Sequence, residues 1–98
     1  MGNKTKALED YLSACSFYRA ERVFRGQADA LNLIGRIYEG WGQRQRALDY
    51  YEKALPLSQK AEYRVGQAST LYNIARVERD RGNLAEGRAR IKAALGVV

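Results

Sequence analysis

The chain has 98 residues, 46% of them hydrophobic and 29% charged, which is the balance of one folded domain and excludes a disordered segment. It has no histidine and one cysteine, so it lacks the commonest general base and metal ligand and cannot form an internal disulfide. No apolar run reaches the length of a membrane span, so we expect a cytoplasmic chain without membrane contact, whose net charge of +6 attracts acidic partners.

Five amphipathic segments are predicted as helices because their apolar and small residues recur at spacings of three and four. In chain order we expect helices at about 3–20, 24–40, 44–60, 64–81 and 84–95. Gly42 and Gly82 follow the second and fourth helices, where they suit a turn residue with a left-handed backbone. The third helix contains Pro56; we expect it to bend there and continue to Lys60, with an early stop as the alternative.

The sequence repeats with a period of 40 residues. This offset gives nine identities between residues 26–55 and 66–95, and it also aligns the first predicted helix with the third, with Gly2 at the turn position of Gly42. We therefore divide the single domain 1–98 into the second helix of a truncated repeat (2–25) and two full repeats (26–65 and 66–98).

In this division the first and last helices each lack a partner helix on one side. This favours the interpretation that the sequence is a piece of a longer array. The alternative is that these terminal helices pair with another copy of the chain, giving a homo-oligomer.

Each unit resembles the tetratricopeptide repeat. The residues that carry the resemblance in the middle unit are Leu31, Ile34-Gly35, Tyr38, Gly42, Ala47, Tyr51 and Ala54, and in the last unit Leu71, Ile74, Ala75, Gly82, Ile91 and Ala94. Glu78 and Gly87 depart from the pattern, where tyrosine and alanine are usual. The resemblance implies an all-α superhelical solenoid of antiparallel helices.

The repeat length is similar to that of the extended repeats of kinesin light chains and Leu-Gly-Asn repeat regulators. The stretch from Leu31 to Gln59 is also similar to bacterial, often cyanobacterial, arrays that adjoin CHAT peptidase domains.

Small residues are expected where the paired helices cross. We predict that Gly35 faces Ala47 in the middle unit and that Ala75 faces Gly87 in the last. The alanine is thus on the second helix of the middle unit and on the first helix of the last, so the summed side-chain volume at the crossing stays the same. The alternative is that these are unrelated small surface residues.

The resemblance also implies a concave groove, lined by the first helix of each repeat, in which a peptide of a partner protein lies. The groove positions carried over to this chain are Asp29, Asn32, Arg36, Glu39, Ser69, Tyr72, Arg76 and Arg79. Because guanidinium groups bind carboxylates bidentately, we expect a protein-interaction scaffold that prefers acidic segments. The alternative is that the arginines are solvated or pair with Glu39 and Asp80 inside the array.

Other functions have less support in the sequence. The cations of the second helices are expected to be solvated on the convex side, with nucleic-acid binding as a minor alternative; they are Arg44, Arg46, Arg88, Arg90 and Lys92. A self-associating structural segment without a ligand is a further alternative. There is no glycine-rich phosphate loop, paired metal ligand set or nucleophile with a base, so we expect no enzyme activity and no cofactor.

Overall fold

The computed structural model describes residues 2–80 and, beyond them, Gly82, Ala85, Ala89 and Lys92. The described part contains four helices and no strand: α1 (Gly2–Ala20), α2 (Phe24–Gly40), α3 (Arg44–Lys60) and α4 (Arg64–Asp80). The all-α fold class is confirmed, and the first four helices lie where they were predicted, except that Gly2, expected in a turn, begins α1.

Two predictions fall on residues that are not described. Most of the predicted fifth helix at 84–95 lies outside the described residues, and so does Gly87, the predicted neighbour of Ala75. None of the described helices is long and apolar enough to cross a membrane.

The three turns between these helices share one backbone geometry. The middle turn residue has a left-handed backbone in each, with φ of 59° at Arg22, 80° at Gly42 and 52° at Glu62. The residue after it donates its N–H to the carbonyl five residues earlier, over 2.8 to 2.9 Å. This closure satisfies a carbonyl at the helix end. The prediction for Gly42 is confirmed, whereas Arg22 and Glu62 adopt the same conformation without being glycine.

Helix α3 continues through Pro56 to Lys60, so the early stop at the proline is wrong. Proline removes one donor from the helical ladder. Buried residues on both sides of it, Ala54 and Ser58, keep α3 packed against its neighbours across the missing bond.

The helices pack in chain order, so that successive hairpins stack side by side. Helix α2 lies between α1 and α3, and α3 lies between α2 and α4. One core cluster joins the third and fourth helices and consists of Ala47, Leu48, Tyr51, Leu71, Ile74 and Val77. A second cluster joins the second and third helices and consists of Ala28, Leu31 and Ala54, with Cys15 of α1 packed against it.

Gly35 is buried on α2 and lies against the ring of Tyr51 on α3, while its contact with Ala47 stays a prediction. A Cβ atom built on Gly35 would lie 2.5 Å from Cε1 and 2.8 Å from Cδ1 of Tyr51. Tyr51 follows Ala47 by one helical turn, and its side chain is fully buried. The absent side chain of Gly35 therefore makes room for an aromatic ring of α3.

We expect Gly35→Ala to lower the free energy of unfolding by about 1–2 kcal/mol. Overpacking against a ring that has no free space costs about 1–3 kcal/mol, and the better helix propensity of alanine offsets only part of it. Urea unfolding followed by circular dichroism measures the change. Gly40→Ala is the matched control, because its methyl group would meet only the end of the Lys4 side chain. If Gly40→Ala lowered the free energy of unfolding as much as Gly35→Ala, the contact of Gly35 with the Tyr51 ring would not be the cause of the loss.

Gly42→Ala should also destabilise the chain, by about 1 kcal/mol, for a different reason. A Cβ atom there would contact nothing within 4 Å, so the cost comes only from holding an L residue at φ 80°. Asparagine tolerates this backbone conformation better, so Gly42→Asn should lose less than Gly42→Ala in the same unfolding measurement. The reverse order would show that a contact, and not the backbone, requires glycine.

Candidate functional site

A groove of about 840 Å³ runs between α2 and α4. It forms because residues at spacings of three and four on each helix point to one side, and because the 40-residue offset brings equivalent faces together. Six of the eight predicted site residues line it: Asp29, Asn32, Arg36, Ser69, Tyr72 and Arg76. The sequence missed the other lining residues, which are Leu33, Tyr63, Gly66, Ala68 and Asn73.

The two predicted residues that do not line the groove are Glu39 and Arg79. Glu39 binds Arg76, which itself lines the groove. Arg79 is largely exposed, and its Nε lies 3.6 Å from Asp80 Oδ1. This agrees with the alternative in which the arginines are solvated or pair with Glu39 and Asp80.

Polar side chains of α2 and α4 form a connected row of hydrogen bonds across the groove. Asn32 donates its Nδ2 to Thr70 Oγ1 over 2.8 Å, and Thr70 in turn donates to the carbonyl of Gly66 over 2.8 Å. Asn73 donates its Nδ2 to Asn32 Oδ1 over 3.4 Å, and accepts from Arg76 Nη2 over 3.2 Å. These directional bonds fix the position of α4 relative to α2.

The row ends in a cluster of Glu39, Tyr51 and Arg76, which come from three different helices. Arg76 donates Nε to Glu39 Oε2 and Nη2 to Oε1, both over 2.8 Å, in a bidentate pair. The hydroxyl of Tyr51 donates to Glu39 Oε1 over 2.7 Å. The alternative in which an arginine pairs with Glu39 is therefore what the structure shows for Arg76. Its guanidinium group is engaged inside the array.

The pKa values of this cluster reflect the same contacts. Burial acts to raise the pKa of Glu39, but the hydrogen bonds from Arg76 and Tyr51 and the nearby positive charges outweigh it, so the pKa lies below its ordinary value. Burial and the bond to Glu39 raise the pKa of Tyr51. The bond to Glu39 also raises the pKa of Arg76. At neutral pH all three groups hold the protonation states that favour the pairing.

Arg36 differs from its repeat equivalent Arg76. It is exposed, and it makes no hydrogen bond or ion pair with any described residue. The apolar groups beside it in the groove are Leu33, 40% exposed, and Tyr72, 63% exposed. At the other end of the groove, Asp29 accepts a 3.4 Å hydrogen bond from the Tyr63 hydroxyl. A cation and the apolar side chain of Leu33 are thus open to a ligand, as is the part of the Tyr72 ring that is not covered by the Arg76 guanidinium, which lies 5.5 Å from the ring centre.

The cations expected on the convex side lie outside the groove, as far as the structure describes them. The guanidinium of Arg46 lies 5.6 Å from the centre of the Tyr38 ring, which also stacks on Tyr50. Arg44 and Lys92 are exposed, while Arg88 and Arg90 fall outside the described residues. Within the described part of the chain, no group of three or more acidic, histidine or cysteine residues could hold a metal ion.

We expect the stability of the chain to fall below about pH 4.5, where glutamate side chains take up protons. Because the folded-state pKa of Glu39 is lowered, its contribution is present above the unfolded-state value and is lost as pH falls through the folded-state value. Urea unfolding at neutral and at acidic pH measures this loss, which should be smaller in Glu39→Gln.

The same variant should already be less stable at neutral pH, by about 1.5–3 kcal/mol, because half-buried Arg76 loses its charged partner. Glu9→Gln is the control, since Glu9 is exposed on α1. If Glu9→Gln flattened the pH dependence as much as Glu39→Gln, the buried cluster would not be its source.

Comparison with known proteins gives one match. Residues 28–60 match the family model described as tetratricopeptide repeat, and this segment covers α2 from Ala28 onward and the whole of α3. The matched part of the α2–α3 hairpin is therefore similar to a tetratricopeptide repeat, a non-catalytic motif that generally mediates protein–protein interaction. No match was found among curated proteins or among solved structures.

Proposed function

We propose that the chain is a protein-interaction scaffold whose groove between α2 and α4 binds a segment of a partner protein, with an acidic residue of that segment on Arg36. The observation that carries the proposal is the exposed, unpaired guanidinium of Arg36 beside Leu33 and Tyr72. The tetratricopeptide match on α2–α3 supports a protein as the ligand class.

The acidic preference depends on Arg36 and not on both repeat-equivalent arginines. Arg76 already donates two charge-assisted hydrogen bonds to Glu39, and a ligand carboxylate would have to displace a partner held at 2.8 Å. Arg36 has no such partner to lose among the described residues. One guanidinium in an open groove gives a moderate charge preference, so the apolar contacts must supply much of the affinity.

The apolar part of the ligand is expected on Tyr72 and Leu33. Tyr72 offers a flat ring that is ordered at little entropic cost, and aromatic residues of this kind commonly dominate binding energy at interfaces. The row of Asn32, Asn73 and Thr70 bonds mostly within itself. It therefore forms the floor of the groove, while Arg36, Leu33 and Tyr72 select the ligand.

The repeat length is a second, finer element of this proposal. Helices begin at residues 24, 44 and 64, so one hairpin occupies 40 residues, which supports the extended type of repeat. An attached CHAT domain stays a prediction from the resemblance. A scaffold of this kind would recruit or regulate such a domain without contributing to its catalysis.

The test uses three fluorescein-labelled peptides with the same apolar residues and with glutamate, glutamine or lysine at the remaining positions. Anisotropy titration should show the tightest binding for the glutamate peptide, and Arg36→Glu should weaken that binding by about tenfold. Arg79→Glu makes the same change of charge at an exposed site outside the groove, and it should have little effect.

Two results would contradict the proposal. If Arg79→Glu weakened binding as much as Arg36→Glu, the attraction would be a general effect of net charge. If none of the three peptides bound, or if Tyr72→Ala had no effect on the peptide that did, the groove would not be the ligand site.

A further inference from the structure

Three exposed cations form a row along one side of α3. Arg46, Lys53 and Lys60 follow one another at intervals of seven residues, so they lie about 10 Å apart on the same side of the helix. No ion pair joins any of the three to an acid among the described residues. Within that part of the chain, the positive charge of the row is therefore not paired.

Each cation of the row lies over an aromatic ring, with its charged group 4.9 to 5.6 Å from the ring centre. The pairs are Arg46 with Tyr38, Lys53 with Tyr50, and Lys60 with Phe24. The guanidinium of Arg22, in the turn after α1, also lies 5.5 Å from the centre of the Phe24 ring. Such a contact restrains a long side chain but leaves its charge in place, so less side-chain entropy is lost when an anion binds.

The side of α1 that faces this row is also basic. Helices α1 and α3 do not pack directly against each other, but the half-buried side chains of Cys15, Tyr50 and Leu57 pack on one shared cluster between them. Burial raises the pKa of the Cys15 thiol, while the nearby positive charges of Arg19 and Lys53 act to lower it. We call this strip the basic seam; its cations are Arg19, Arg22, Arg46, Lys53 and Lys60.

The acids of α3 lie outside the seam. Asp49 and Glu52 follow Arg46 by three and six residues, so they lie about 60° and 120° farther round the helix, away from α1. Asp49 accepts a 3.1 Å hydrogen bond from Gln45 and forms no ion pair with a described cation. Positive charges thus face the seam from both helices.

The spacing of the row matches that of acids on a helix. Carboxylates at every seventh position of an α-helix stand about 10 Å apart on one side, so each can face one cation of the row. Nucleic acid fits less well, because its bases need open ring faces on which to stack. Here the rings of Tyr38 and Tyr50 stack on each other, and each ring of the row already carries a cation.

We propose that the basic seam binds an acidic amphipathic helix of a partner protein. Glutamate or aspartate at every seventh position faces the row on α3, and the apolar residues between these acids contact Tyr50 and Leu57. Trp41, which is 39% exposed and packs edge-on against Tyr38, adds apolar surface at the Arg46 end of the seam.

The affinity depends on all of these contacts together, because one exposed ion pair contributes little. The mode of recognition is an amphipathic helix laid along a surface of matching chemistry. The seam is separate from the groove between α2 and α4, and the proposal does not depend on the function proposed for that groove.

The probe is a fluorescein-labelled helical peptide of about 20 residues, based on alanine and glutamine, with three glutamates at seven-residue intervals and leucines between them. The comparison peptide has the same composition, but its glutamates are distributed around the helix. Anisotropy titration of the full chain at low salt should show saturable binding of the first peptide. The comparison peptide should bind at least about fivefold more weakly, because its charges cannot face the row together.

Lys53→Glu, at the middle of the row, should weaken binding of the first peptide by about tenfold. Arg44→Glu is the matched control, because Arg44 is exposed on the same helix, and its place two residues before Arg46 puts it on the other side. It makes the same change of net charge and should have little effect. Circular dichroism melting checks that both variants keep the fold.

Four results would overturn the proposal. The first is no binding of the first peptide, and the second is equal binding of the two peptides or equal weakening by Arg44→Glu and Lys53→Glu, either of which would indicate a general effect of net charge. The third is weakening by Arg36→Glu as strong as that by Lys53→Glu, which would place the peptide in the groove. The fourth is tighter binding of oligothymidylate than of the peptide, lost in Lys53→Glu, which would make the seam a nucleic-acid site.

Discussion

The ring of Tyr51 is the contact on which the rest of the structure depends. It fills the space that Gly35 leaves on α2, and it packs in the same cluster as Leu71 and Ile74 of α4. Its hydroxyl donates to Glu39, which binds Arg76 of the next repeat. One side chain thus couples the pairing of helices within a repeat to the pairing between repeats, because neither contact can shift without moving the buried ring.

The polar row between α2 and α4 determines what the groove can offer a ligand. An apolar interface would let the two helices slide, whereas hydrogen bonds from Asn32, Asn73 and Arg76 hold one register. These groups satisfy one another, so little of their bonding capacity is left for a partner. The groups of the groove outside this row are then the ones open to a ligand, and they include Arg36, which makes no hydrogen bond with a described residue, and Leu33, which is 40% exposed.

The regular features of the chain could be predicted from the sequence, because periodicity and turn chemistry are local. Four helices and the left-handed turn at Gly42 follow from spacing alone, but the same turn at Arg22 and Glu62 carries no glycine signal. The ring of Tyr51 against Gly35 was not predicted, since Ala47 and Tyr51 lie on the same face of α3 and the sequence does not fix the height at which α2 crosses it.

The roles of Arg36 and Arg76 could not be separated by internal comparison, because the two positions are identical in the repeat. Their difference lies in how each meets Glu39: Arg76 on α4 binds it through two hydrogen bonds, while Arg36 on α2 acts on it as a nearby positive charge without a hydrogen bond. Whether a repeated arginine is engaged inside the array, as Arg76 is, or left exposed, as Arg36 is, is therefore decided by the residues beside it and not by its own identity.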